Sequence, residues 1–161
     1  MNPTHIHLIL THFPIIGTMI GAGILIYGMY KKNLPIQQVA LGIFIIMAIL
    51  TIPVYLSGEE AEETVEHLAD VSEKIIHNHE ELAEKAIFVI GLLGFASSFF
   101  FYNKKKQFIP SGLLIKFILA LSIITSGLFA LVGNYGGQIR HSEIRKDAKI
   151  IKSPREDDDD D

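Results

Sequence analysis

Four apolar runs, each about as long as a lipid bilayer is thick, constrain this chain more than any other feature. The first extends from about Leu8 to Tyr30 and the second from about Leu34 to Ser57, both without a charged residue. The third extends from about Leu82 to Tyr102, with Glu84 and Lys85 confined to its first turn; the fourth, from about Phe108 to Tyr135, holds the single charge Lys116. A helix needs roughly 20 apolar residues to cross a hydrocarbon core, because lipid offers no partner to an unpaired backbone N–H or C=O. One such helix could be the buried core of a large soluble protein. Four of them in 161 residues leave too few polar residues to cover them. Only 20% of the chain is charged, against about 25% in an ordinary soluble domain, and mean hydropathy is +0.35. The expected fold class is therefore all-α: an integral membrane four-helix antiparallel bundle.

The connections give this bundle two unlike ends. Lys31-Lys32-Asn33-Leu34-Pro35 is a tight turn, with Pro35 placed to open the second helix. Asn103-Lys104-Lys105-Lys106 through Pro110-Ser111-Gly112 is its counterpart between helices three and four, and the two turns together hold five lysines and no acid. The longer connection is acidic, with Glu59, Glu60, Glu62, Glu63, Glu66, Asp70, Glu73, Glu80 and Glu81 against Lys74 alone. Within it Ala61, Val65, Leu68, Ala69, Ser72, Ile75 and Ile76 recur at helical spacing, which predicts an extra amphipathic interfacial helix over about 59–76 along the bundle mouth. Lysine-rich short turns belong on the cytoplasmic side. This orientation puts both termini and the acidic segment on the outer side of a bacterial cytoplasmic (inner) membrane, the periplasmic side if the host has one. Arg140, Arg145, Lys146, Lys149, Lys152 and Arg155 after the fourth run oppose that orientation, but acids temper them, and the two acid-free turns weigh more. Residues 1–142 are read as the four-span domain and 143–161, ending in Asp157–Asp161, as a charged flexible tail. The opening residues lack a basic stretch, so the first run is read as a span rather than a cleaved signal.

Gly17, Gly21 and Gly28 in the first run and Gly91 and Gly94 in the third mark faces where helices can approach closely, within one chain or between copies. Pro14 and Pro53 are expected to bend or end their helices. The chain has no cysteine, which excludes disulfides, thiolate metal sites and haem attached through Cys-x-x-Cys-His.

The histidines concentrate at one end. None of the seven, His5, His7, His12, His67, His77, His79 and His141, falls near the lysine turns. Neutral imidazole binds zinc, copper, iron or haem iron. His12 stands out because it interrupts the apolar Leu8-Ile9-Leu10-Thr11-His12-Phe13-Pro14, and polar groups entering a span are commonly functional. His7 lies about 140° away from it round a helix, so the two do not share a face. His77 and His79 also diverge. A site must then join helices, for example His12 with His79 or His141. Haem b in a bundle is held in that way, by imidazoles from two facing helices; zinc prefers three or four ligands at one point, and Glu80 and Glu81 stand nearby. The ordinary alternative is that an interfacial histidine hydrogen-bonds a carbonyl or caps a helix. No phosphate loop, His-Glu-x-x-His or serine nucleophile with a base accompanies them, and the spans hold no internal acid or arginine to line a transport path.

The segment His7-Leu8-Ile9-Leu10-Thr11-His12-Phe13-Pro14-Ile15 resembles the start of an uncharacterised bacterial membrane-domain family of four predicted spans, which opens on His-Pro-x-x-x-His-Phe-Pro. The resemblance continues at Ser57-Gly58, at His79-Glu80-Glu81-Leu82 and at Gly136-Gly137-Gln138-Ile139-Arg140-His141, covering roughly Ile6 to Ser142. Leu8 stands where the family has proline, and Arg140 where an aromatic is usual. The resemblance implies the architecture and a set of motif positions, His7, His12, His79 and His141, in a family associated with b-type cytochromes and respiratory chains.

The leading expectation is an electron-transfer module rather than a stand-alone enzyme. It would hold haem b on two of His12, His79, His141 and His7 and pass electrons between membrane quinol and a periplasmic or complex-bound acceptor such as a cytochrome. Two alternatives stand beside it. In one, the same histidines, with His77 and Glu80 as further candidates, bind copper or zinc. In the other, the domain is a cofactor-free accessory subunit of a larger membrane complex. Membrane lipid is the expected surrounding, and nucleic acid is not an expected partner.

Overall fold

A computed structural model describes residues 3–66, 73–106 and 110–140. They form four helices: α1 (Pro3–Tyr30), α2 (Leu34–Glu66), α3 (Glu73–Lys106) and α4 (Ser111–Arg140), with no strand among the described residues. All four are long and apolar enough to cross a membrane, over His7–Tyr30, Leu34–Gly58, Glu73–Lys105 and Ser111–Ile139. The outward surface agrees with a lipid surrounding: Phe88 and Phe95 are 74% and 69% exposed, and Ile49, Leu56 and Leu113 also face out. Such side chains would be costly in water and are at home in lipid.

The acidic connection is helical on both described sides. Its start forms the last turns of α2, its end forms the first turn of α3, and 67–72 lie outside the described residues. Neither proline ends its helix, for α1 runs through Pro14 and α2 through Pro53. Spanning helices tolerate proline where neighbours and side chains compensate the backbone.

Each helix packs on two others. α1 lies against α2 and α4, and α3 against α4 and α2, so α1 and α3 oppose each other across one diagonal and α2 and α4 across the other. The centre is filled by Leu25, Leu41, Phe44, Ile90, Leu93, Phe100 and Ile118, all essentially inaccessible. Lipid tails are as apolar as leucine, so close fit rather than water exclusion must hold these helices together. The glycines of α1 provide that fit. A methyl at Gly21 would fall 2.6 Å from Phe44, one at Gly17 would fall on Met47, and one at Gly28 would fall 2.9 Å from the Gln37 amide nitrogen. All three neighbours belong to α2, so this glycine face is used within the chain. Gly94 of α3 meets Ala48 of α2 in the same manner.

The first lysine turn is a Schellman motif. Lys32 N–H donates to Met29 O (3.1 Å) and Asn33 N–H to Gly28 O (2.9 Å), the bonding that ends many helices on a left-handed residue. That residue is Lys32, at φ 48°. Glycine is usual there, and a side chain in this region costs about 1–2 kcal/mol. Asn33 Oδ1 then accepts from Ile36 N–H and caps α2.

Candidate functional site

At the end opposite the lysine turns, each hairpin is tied by a histidine. His7, near the start of α1, is half-buried against α2, and its Nδ1 donates to Val54 O at 3.0 Å. Ser57 Oγ lies 3.3 Å from the same nitrogen. The Ser57 hydroxyl already donates to Val54 O at 3.0 Å, so toward His7 it accepts. In the second hairpin, half-buried His79 of α3 donates from Nδ1 to Val132 O of α4 at 3.1 Å. A carbonyl can only accept, so both rings carry their proton on Nδ1. In the neutral ring Nε2 then keeps its lone pair.

The two clasps share a further detail. Four residues beyond each accepting carbonyl stands a glycine, Gly58 after Val54 and Gly136 after Val132. A methyl at Gly58 would lie 3.3 Å from His7 Cε1, and one at Gly136 would lie 3.3 Å from His79 Cε1. Each glycine thus leaves the room in which the imidazole lies against the neighbouring helix. The rings come from diagonally opposed helices at the same end of the bundle. Both are held by groups that fix tautomer and orientation, and both leave Nε2 free to bind.

The other candidates are placed differently. His12 is exposed, and its Nδ1 donates back to Leu8 O of its own helix at 2.9 Å. It is not brought together with His7 and His79, in keeping with the 140° between it and His7. His77 is exposed and borders a depression of about 190 Å³ with Glu62, Glu73, Ile76 and Glu80. Glu81 is bound to Lys85 at 2.7 Å on the outside of α3. His5 is exposed. His67, His141 and the expected tail over 143–161 lie outside the described residues. Among the described residues no group of three or more His, Asp or Glu is placed to hold a metal ion.

The carbonyls of Val54 and Val132 have no sequence signature, because any residue supplies one. The Val-x-x-x-Gly spacing that closes both hairpins is the signal that pairs them, and it is visible only once α2 and α4 are known to be equivalent. No family model, curated protein or solved structure matches the chain.

Proposed function

We propose that this four-span membrane bundle is an electron-transfer module in which His7 and His79 would hold a haem b. The observation that carries the reading is the matched pair of imidazoles, each with Nδ1 committed to a backbone carbonyl and Nε2 left with its lone pair. Histidines that bind metals characteristically give their other N–H to a carbonyl or carboxylate, which fixes the tautomer and raises the basicity of the ligating nitrogen. The donor chemistry therefore fits a bis-imidazole centre. Haem b, when bound, supplies a one-electron couple. The chain's own groups do the rest: Val54 O and Val132 O orient the rings, and Gly58 and Gly136 admit them. Quinol as donor and a periplasmic or complex-bound acceptor belong to the same proposal, as does the orientation with the histidine end outside. The acidic residues at that end, Glu60, Glu62, Glu73 and Glu80 among them, suit a basic partner. Membership of the four-span bacterial family that the opening segment resembles is part of this proposal too.

A second reading draws on the same contacts. Each histidine already has a complete structural task, tying two helices by a hydrogen bond, and such bonds in membranes average about 0.6 kcal/mol. A bundle with two clasps and nothing bound is a cofactor-free accessory subunit, and this reading needs no more than the bonds described. Copper or zinc has less support, since zinc takes three or four protein ligands and the described residues bring no such group together.

Oxidised and dithionite-reduced visible spectra of the detergent-purified protein, expressed with ample haem, separate the readings. The haem reading expects a Soret band with sharp reduced α and β bands, lost in His7→Ala and in His79→Ala and retained in His12→Ala. A flat spectrum from folded protein isolated with its native partners, or bands that survive both substitutions, overturns it.

A further inference from the structure

The lysine end holds a cavity that the redox reading does not use. It measures about 510 Å³ and is lined by Met29, Lys32, Leu34, Gln37, Phe100, Ser111, Gly112, Ile115 and Lys116, so all four helices contribute to it. Its walls divide by chemistry. Met29, Leu34, Phe100 and Ile115 make an apolar side; Lys32 and Lys116 bring two ammonium groups; Ser111 and Gly112 begin α4, where the first backbone N–H groups have no intrahelical carbonyl to reach. No Asp or Glu occurs from residue 20 to residue 58 or from residue 86 to residue 142.

The neighbouring lysine is occupied otherwise. Lys31 Nζ lies 5.9 Å from the Tyr27 ring centroid and 5.4 Å from that of Tyr30, on the outer side of the turn. Lys32 is the one at the cavity, and it holds the left-handed position where glycine would fit without strain. A lysine kept at that position offers a charge that glycine cannot.

We propose that this cavity binds an anionic phospholipid, with its phosphate between Lys32 and Lys116 and an acyl chain along Met29, Leu34, Phe100 and Ile115. Charge complementarity selects the occupant: two cations with no acid beside them favour an anionic headgroup over a zwitterionic one. The apolar wall selects an amphiphile over a free anion. The site lies where lipid is already present, at the mouth of a spanning bundle, and basic pockets between spanning helices suit such headgroups.

The test is native mass spectrometry of the full chain released from mixed micelles containing dioleoyl phosphatidylglycerol or dioleoyl phosphatidylcholine at equal concentration. The wild type is expected to retain phosphatidylglycerol preferentially. A lysine near an anionic lipid surface is worth a factor of about five, so Lys116→Gln is expected to weaken retention about fivefold. Lys32→Gly is expected to lose a similar factor while raising the melting temperature, because it removes the strained backbone; a merely structural lysine would show only the second effect. Lys104→Gln with Lys105→Gln, off the cavity, is expected to change retention less than twofold. Equal retention of the two lipids overturns the proposal, as does a Lys104/Lys105 effect as large as that of the cavity lysines. Inorganic phosphate that competes fully with phosphatidylglycerol would assign the site to a free anion instead and overturn the lipid. If Lys116→Gln fails to fold, Lys32→Gly alone decides.

Discussion

The two hairpins end alike and pack differently. In α1–α2, three glycines of α1 let α2 approach until a methyl at Gly21 would strike Phe44 and one at Gly28 would reach the backbone of Gln37. In α3–α4 only Gly136, at the His79 clasp, does this among the described glycines: Gly94 faces α2, Gly133 faces Ile15 of α1, and Gly91, Gly112 and Gly127 have nothing within 4 Å. The hydroxyls of α4 turn inward on their own helix, Ser122 to Leu119 O, Thr125 to Leu121 O and Ser126 to Ser122 O, and tie nothing across the pair. Yet each hairpin places an imidazole Nδ1 on a valine carbonyl four residues before a glycine. Two interfaces built on different side chains share that detail, which ties each hairpin at its open end. What they share is the geometry of the two rings, which is why the rings, and not the helix faces, are read as the functional part.

The most severe way to break the equivalence is to remove one ring. His7→Ala and His79→Ala are each expected to abolish the haem spectrum completely, since a low-spin bis-imidazole centre needs both. One variant that keeps a sharp reduced α band would show that the clasps are unequal. Next in size is the packing contrast. Gly21→Ala forces a methyl against buried Phe44 and is expected to cost about 1–3 kcal/mol in thermal or detergent unfolding followed by circular dichroism. Gly127→Ala in α4, with open space around it, is expected to gain up to about 1 kcal/mol from helix propensity. Equal effects at the two positions would erase the distinction between the hairpins. Smaller still are Gly58→Ala and Gly136→Ala, where the ring must yield by a few tenths of an ångström. Both are expected to lower haem retention to a similar extent, and an effect at one alone would refute the matched geometry. Least is Ser57→Ala, which removes a second acceptor found only in the first clasp. It is expected to cost about 0.5 kcal/mol and to leave the spectrum unchanged.

Much of the architecture was legible from hydropathy, because a bilayer imposes a length and punishes charge. Helix ends were less so. The second span ends at Gly58, close to the expected Ser57, but the segment expected as a separate amphipathic helix over 59–76 is, where described, a continuation of α2 to Glu66 and the start of α3 at Glu73. Hydropathy measures how much of a helix lies in lipid, and a Glu- and Ala-rich extension remains helical beyond it. The site was harder again. His12 drew attention because it interrupts an apolar run, but in a spanning helix every face is apolar, the outer one included. The periodicity that shows which side of a soluble helix is buried is therefore faint. His12 is on the outside and His7 on the inside, and only helix–helix contacts tell them apart. The fourth candidate, His141, falls outside the described residues.

Each hairpin is closed at both ends, by a covalent turn at the lysine side and by an imidazole–carbonyl bond at the other. In a pair of spans so joined, the histidine Nδ1 is satisfied within the pair and does not wait for the other half of the protein. Biogenesis can then proceed two helices at a time. The last event is the side-by-side docking of two finished hairpins, and that event brings His7 and His79 to the same end of one bundle. A site that used both rings, as proposed for haem, would be complete only once the two hairpins had docked and could not load on a half-made protein.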